Sequence, residues 1–130
     1  MYLSVIQNSK NNKFFTTMSN DGMLRLYQST EDGKYLEKAN IAFGRNLQES
    51  MCISELGNDH VVLLVGGYDS KIHVYTIKLS SNKFIYRSSM LGHFNSIKAL
   101  TVSPKLTNNV LYLASGSQDN NIRIWKIEPL

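Results

Sequence analysis

Cysteine, proline and long apolar runs are all scarce in this sequence. Cys52 is the single cysteine among 130 residues, so an internal disulfide and a cysteine metal cluster are excluded. The longest apolar runs, Val61–Val65 and Val110–Ala114, fall far short of the ~20 residues of a transmembrane helix. The opening residues lack the basic start and apolar stretch of a secretory signal. We therefore expect a cytoplasmic protein, with the nucleus as an alternative, and no membrane association.

Charge of one sign is only slightly in excess. Fourteen Lys and Arg residues against ten Asp and Glu residues give a net charge of +4, and the basic residues are spread along the chain. This balance permits an acidic partner without requiring one. The apolar fraction of 42% and the aromatic fraction of 10% are sufficient for a hydrophobic core, which predicts a folded domain.

Sustained helical periodicity is also absent. Three segments instead alternate apolar and polar residues: Leu24–Tyr27, Ile72–Tyr75 and Ile122–Trp125. Such alternation, with β-branched and aromatic residues, is typical of strands. Clusters of Ser, Asn, Asp, Gly and Lys between these segments favour turns. The sequence therefore predicts an all-β fold.

The three alternating segments are copies of one unit. In each, an Asp precedes an aromatic residue by six positions, and Asp21, Asp69 and Asp119 are spaced by 48 and 50 residues. An apolar run precedes each Asp, and the sequence around it predicts four strands per full unit. A four-stranded unit repeated at this period is typical of a β-propeller blade.

The predicted architecture is a partial β-propeller with three blades, at approximately residues 1–42, 47–90 and 93–127. The third blade lacks its outer strand. Propellers usually close with about four to eight blades, and stacked units leave apolar faces at both ends of an open array. We therefore expect either a fragment of a longer chain or a chain that completes its ring with another chain.

The third unit resembles the signature of the WD-repeat family. The resemblance lies in Gly92-His93, Ser115 and Ser117–Trp125, with Lys126 where the family usually has a second Asp. It implies a structural network in which the histidine bonds the turn Asp and the strand serine, which reaches the tryptophan indole: His93, Ser115, Asp119 and Trp125.

Serine, histidine and aspartate are also the residue types of a hydrolase triad. No Gly-x-Ser-x-Gly motif accompanies them here, so we predict no catalytic residues and no enzyme activity. The other two units keep the Asp but lack the complete set. The second has Val65 in place of the serine and Gly44-Arg45 in place of Gly-His.

Residues 61–127 resemble consecutive blades in the family of second subunits of Elongator. Gly66–Asp69 before Ile72-His73, and Ser117–Asp119 before Ile122–Trp125, carry this resemblance. It implies a non-catalytic scaffold, with other Elongator subunits as partners, in a complex that modifies the wobble uridine of transfer RNA. The alternatives are a generic WD-repeat adaptor of another complex and a surface module that contacts transfer RNA. No cofactor, metal or small-molecule substrate is predicted.

The loops at one end of the blades form a candidate partner-binding face. The turn after a blade's second strand and the loop before its first strand lie at the same end. Tyr, Phe and Arg in such loops are typical of binding hot spots, although these aromatics could instead pack under neighbouring loops. The residues predicted on this face are Arg45, Asn46, Tyr68, Phe94, Asn95 and Gln118.

Three basic residues occupy one equivalent position, two before the strand aromatic: Arg25, His73 and Arg123. They could form a basic ladder for the phosphates of a nucleic acid. We interpret them instead as side chains whose stems cover apolar surface while their heads stay in water.

Overall fold

The computed structural model describes residues 2–7, 13–19, 21–43, 48–57, 60–78, 80–81, 83–103 and 110–127. These residues form eleven strands and no helix. A helix long and apolar enough to cross a bilayer is accordingly not found in them. The strands are β1 (Tyr2–Gln7), β2 (Lys13–Met18), β3 (Met23–Ser29), β4 (Tyr35–Ala42), β5 (Gln48–Gly57), β6 (His60–Gly67), β7 (Lys71–Lys78), β8 (Lys83–Leu91), β9 (Ile97–Val102), β10 (Leu111–Ser117) and β11 (Ile122–Ile127).

The strands form three sheets that follow the order of the chain. Strands β1–β4 make the first blade, β5–β8 the second, and β9–β11 the third, and each strand pairs with the next in antiparallel orientation. The prediction of an all-β chain built from three propeller-like blades is confirmed. The third blade has three strands among the described residues, as the sequence predicted.

One kind of turn joins the second and third strands of every blade. Asp21, Asp69 and Asp119 each accept a hydrogen bond at Oδ1 from the backbone N–H two residues later, at 2.8–3.1 Å. The residue after each Asp has a positive φ between 68° and 82°. An Asp side chain stabilises such a turn by replacing a backbone acceptor, which explains why Asp recurs at this spacing.

The second blade packs between the other two. Its strand β6 is buried on both faces: Val61, Leu63 and Val65 join the cluster shared with the first blade. Val62 and Leu64 join the cluster shared with the third blade. Burial on both faces explains why this strand is an unbroken apolar run, whereas antiparallel strands with one wet face alternate.

Close approach between the second and third blades requires a glycine on β6. A Cβ atom on Gly66 would lie 2.7 Å from Cγ2 of Ile97 and would clash with Oγ of Ser50. That Ser50 hydroxyl donates a hydrogen bond of 2.8 Å to the Ile97 carbonyl. Gly116 occupies the equivalent position on β10, where a Cβ would meet only Ala99, at 3.8 Å.

The outward face of the third blade is open. Ile122 is 80% exposed and Ile124 is 71% exposed. The residues at the equivalent positions of the other two blades are buried between blades: Leu24, Leu26, Ile72 and Val74. This pair of apolar positions is buried in the first two blades and exposed in the third. The exposed face of the third blade therefore has the composition of a surface that packs against a neighbouring blade.

Candidate functional site

The structure brings together the four residues that the sequence assigned to a network. His93, in the loop between β8 and β9, places Nδ1 2.8 Å from Oδ2 of Asp119 and Nε2 2.7 Å from Oγ of Ser115. The indole Nε1 of Trp125 donates to the same Oγ at 2.7 Å. The loop, β10, the hairpin turn and β11 are thereby joined in one chain of hydrogen bonds.

The direction of each hydrogen bond follows from the groups involved. An ionised carboxylate only accepts, so Nδ1 of His93 carries a proton. In the neutral imidazole, Nε2 then accepts the hydroxyl proton of Ser115, whose oxygen receives the Trp125 N–H. Buried polar groups that satisfy one another in this way make a blade rigid.

Asp119 stays ionised in this network. Desolvation raises its pKa, but hydrogen bonds from the Phe94 N–H, the His93 imidazole and the Asn121 N–H outweigh that effect and lower the pKa to about 2. The N–H of Phe94 lies 2.9 Å from Oδ2, the oxygen that also faces His93. One carboxylate therefore holds both its own turn and the loop at His93-Phe94.

The sequence of carboxylate, imidazole and hydroxyl matches the order of groups in a serine hydrolase. Ser115, however, is only 1% exposed, and its oxygen is already bonded to both the imidazole and the indole. This oxygen is therefore not displayed as the exposed nucleophile of a hydrolase would be. The geometry therefore supports a structural role for the four residues.

Gly92 packs against Trp125 of this network, a contact that the sequence analysis did not predict. A Cβ atom on Gly92 would lie 2.6 Å from Cη2 of Trp125, so only glycine lets the loop pass against the indole. Phe43, the residue that follows β4, packs edge-on against the rings of His73 and Tyr75 in the second blade. The sequence signal that could have predicted this contact is the glycine before His93 together with the tryptophan of the same repeat.

In the other two blades, the turn Asp binds a basic residue of its own hairpin. Arg25 Nη2 lies 2.7 Å from Oδ2 of Asp21, and His73 Nε2 lies 2.9 Å from Oδ2 of Asp69. Hydrogen bonds from Arg25, the Ser19 hydroxyl and the Met23 N–H hold the pKa of Asp21 well below its usual range.

These pairs correct the interpretation of the basic ladder. The heads of Arg25 and His73 do not point freely into water, because the turn carboxylate lies within reach of the strand position four residues later. Because both side chains are bonded to carboxylates, neither is available to bind the phosphates of a nucleic acid. Arg123 differs, because its turn carboxylate is engaged by His93.

The candidate partner-binding face carries exposed aromatics. Tyr68 is 51% exposed and Phe94 is 83% exposed, so neither is packed under a neighbouring loop. Asn95 and Gln118 are exposed beside them. Arg45 and Asn46, predicted on the same face, lie outside the described residues.

Hydrogen bonds tie the two loops of this face to each other. The Ser96 hydroxyl donates to Oε1 of Gln118 at 2.9 Å, and the Gln118 N–H donates to the Ser96 carbonyl at 3.1 Å. Nζ of Lys98 lies 5.2 Å from the ring centroid of Tyr68, which links the turn of the second blade to the third. The exposed residues are therefore displayed by connected loops.

Cys52 is buried, and the described residues include no cluster of metal-binding side chains. Burial raises the pKa of the Cys52 thiol to about 12, so it packs as a small apolar side chain. No group of three or more His, Cys, Asp or Glu residues there is arranged to hold a metal ion.

Comparison with known proteins supports the repeat assignment. Residues 84–126 match the family described as WD domain, G-beta repeat. The chain is 28% identical to Elongator complex protein 2 of Arabidopsis thaliana and of Danio rerio, in each case over 92% of this chain. It is also 39% identical over 49% of its length to a Striatin homolog of Dictyostelium discoideum, of which it covers 7%.

The chain spans 16% and 14% of the length of the two Elongator relatives. The matched segment spans β8 to β11 except for the first residue of β8 and the last of β11, and it includes the complete network. Residues 84–126 are thus similar to one WD repeat, and the chain as a whole, with three sheets built on one turn motif, is similar to Elongator complex protein 2.

Proposed function

We propose that this chain is part of a non-catalytic protein-interaction scaffold whose partner contacts the face of Tyr68, Phe94, Asn95 and Gln118. Arg45 and Asn46 belong to this proposed face by their sequence position. The observation that carries the proposal is Phe94, a large aromatic side chain left 83% exposed on an anchored backbone.

The anchoring of Phe94 favours binding for a physical reason. Its N–H is bonded to Asp119, and the preceding residue, His93, is buried in the network. The backbone of this loop is therefore already ordered before binding. Because little conformational freedom is lost, binding of a partner costs less entropy. Exposed aromatic side chains on such a loop have the composition of interface hot spots.

The similarity to Elongator complex protein 2 supports a specific setting. We assign the chain to a subunit of that kind, with other Elongator subunits as partners and modification of the wobble uridine of transfer RNA as the process. The catalytic step would belong to another subunit. A cytoplasmic location, extending to the nucleus, is part of this proposal.

A binding assay with purified Elongator subunits tests the proposal. The immobilised chain is expected to capture one of them, and the double variant Tyr68→Ala, Phe94→Ala is expected to lose most of that capture. Tyr112→Ala is the matched control, since Tyr112 is 51% exposed but lies on β10, away from the loops. Equal loss in the control, or unchanged capture by the double variant, would contradict the assigned face.

A salt titration separates protein binding from direct contact with transfer RNA. Neutralised phosphates release counterions, so RNA binding weakens steeply as salt rises. With Arg25 and His73 paired to carboxylates, we expect the chain to bind its protein partner with little dependence on salt. Steeply salt-dependent binding of transfer RNA that competes with the protein partner would favour the RNA-binding alternative.

A further inference from the structure

His73 is the middle group of a chain of hydrogen bonds at the surface of the second blade. Its Nε2 lies 2.9 Å from Oδ2 of Asp69, and its Nδ1 lies 3.1 Å from the hydroxyl of Tyr86. Carboxylate, imidazole and hydroxyl in this order can act as orienting group, base and nucleophile. The same order in the third blade ends at the buried Ser115, whereas Tyr86 is 49% exposed. A molecule in solution can therefore contact the Tyr86 side chain.

The carboxylate of Asp69 decides which imidazole nitrogen carries the proton. A carboxylate only accepts hydrogen bonds, so the proton lies on Nε2 of His73. In the neutral imidazole, Nδ1 is then an acceptor and receives the proton of the Tyr86 hydroxyl. The imidazole thus faces the phenol with the lone pair that takes up its proton when the phenol oxygen attacks an electrophile.

The first blade has an ion pair at the equivalent place. Arg25 occupies the position of His73, and its Nε lies 3.4 Å from Oε1 of Glu37. Glu37 and Tyr86 lie opposite the aromatic residue at the same position of the third strand in their blades. A guanidinium stays protonated and cannot act as a base. An ion pair is therefore enough to join the third and fourth strands, and the second blade instead holds two groups that can exchange a proton.

Aromatic contacts hold the imidazole and the phenol in place. The ring of Phe43 packs edge-on against His73 with centroids 5.1 Å apart, and the ring of Tyr75 packs edge-on against Tyr86 at 5.2 Å. The His73 side chain is only 13% exposed. A base and a nucleophile that are already held in hydrogen-bond contact lose little freedom when they react.

We propose that Tyr86 is a reactive tyrosine that accepts an acyl group from a neutral activated ester, with His73 as general base and Asp69 as the residue that positions the imidazole. The Tyr86 oxygen bonds to the acyl carbon, the bond from that carbon to the leaving oxygen breaks, and the phenol proton passes to Nδ1 of His73. The imidazolium then gives this proton to the leaving group, which departs as an alcohol or phenol. Because the acyl group stays on Tyr86, each chain reacts once.

The surroundings of Tyr86 favour a neutral reagent. The carboxylate of Asp69 belongs to the same hydrogen-bonded chain and would repel an anionic reagent such as a phosphoryl donor. The neighbouring residue Arg87 directs its Nε to the hydroxyl of Thr76, at 2.8 Å. The ring of Tyr75 provides an apolar surface next to the phenol. An uncharged acyl group therefore suits this site better than a phosphate.

The test uses p-nitrophenyl acetate, a neutral ester with a good leaving group, and the folded chain at neutral pH. Peptide mass spectrometry measures the rate of acetylation at each tyrosine. Tyr112 is the internal control, because it is 51% exposed. The histidine of its blade, His93, is bonded to Asp119 and Ser115. Neutral hydroxylamine removes acetyl groups from phenols and leaves acetylated lysine intact, so it identifies the linkage.

We expect Tyr86 to be acetylated at least about tenfold faster than Tyr112. The variant His73→Gln keeps a hydrogen-bond acceptor for the phenol but has no base, so its Tyr86 should react only as fast as Tyr112. Equal rates for the two tyrosines in the unmodified chain would overturn the proposal, whether or not the variant folds. An unchanged rate at Tyr86 in the folded variant would also overturn it.

Asp69→Asn tests the positioning role of the carboxylate. The amide oxygen can still accept the Lys71 N–H that Oδ1 accepts at 3.1 Å, but the amide NH2 group cannot accept a proton from Nε2 of His73. We expect the imidazole proton to move to Nδ1, which the ¹⁵N chemical shifts of the ring report, and acetylation of Tyr86 to slow about tenfold or more. An unchanged rate, or a slower reaction with unchanged ring shifts, would contradict this role.

Discussion

Removing the imidazole of His93 is the most direct test of the third-blade network. His93→Ala deletes the bonds to Asp119 and Ser115 and leaves the buried Ser115 hydroxyl with only the indole as partner. Lost hydrogen bonds at a buried, unsatisfied group cost about 1–3 kcal/mol, which is the expected decrease in the free energy of unfolding. Trp125 fluorescence during urea titration measures it within the affected blade.

His73→Ala is the matched control for this experiment. It also removes a histidine from a turn Asp, but the pair of His73 and Asp69 is partly exposed, whereas His93 is fully buried. A hydrogen bond that stays partly exposed to water contributes about 0.5–1.5 kcal/mol, so the loss of stability should be smaller. Equal losses for the two variants would refute the assignment of the buried network as the main polar support of the third blade.

A double-mutant cycle then tests whether the network acts as a unit. Trp125→Phe removes the indole donor, and His93 and Trp125 both bond the same Ser115 oxygen. We expect the combined variant to deviate from additivity by about 0.5–3 kcal/mol, as residues in one hydrogen-bond network do. Because tryptophan is removed, far-ultraviolet circular dichroism monitors this cycle. Additive losses would indicate independent contacts.

Three further predictions concern packing, acid stability and the thiol. Gly66→Ala should lower the free energy of unfolding by about 1–3 kcal/mol, while the equivalent Gly116→Ala should have little effect; comparable losses in urea titrations would contradict the packing argument. The pKa of Asp119, about 2 when folded, lies below the value of ~3.9 for an unfolded Asp, so its stabilisation is complete above about pH 4 and is lost as the pH falls toward 2. Asp119→Asn should therefore reduce the fall in urea midpoint over that interval, and an unchanged fall would argue against the ionised network. Buried Cys52, with a pKa of about 12, should react with a thiol reagent only as fast as the chain opens, so rapid labelling without denaturant would show that β5 is accessible.

The turn could be predicted from sequence because it rests on local chemistry, and the third-blade network could be predicted because its residues resemble a known motif. Each turn Asp accepts a hydrogen bond from the backbone N–H two residues later, so the turn involves only adjacent residues. The regular spacing of these Asp residues is therefore visible in the sequence. The network of His93, Ser115, Asp119 and Trp125 was predicted by resemblance to a motif. The two aromatics of the proposed binding face, Tyr68 and Phe94, could be placed on loops because the hairpins were located correctly.

What the sequence determined by itself is thus the strands, their repeat and the turn that closes each hairpin, since short-range hydrogen bonds and alternation decide them. Only the tertiary structure decided which side chains are covered. Ile72 and Ile122 are equivalent in sequence, yet one is buried and the other exposed, because a blade packs beside the first and none of the described residues beside the second. Likewise Arg25 and Arg123 are equivalent, but among the described residues a fourth strand supplies a carboxylate to Arg25 and none to Arg123. Burial between blades depends on residues of another blade, far away in the chain, which no local pattern records.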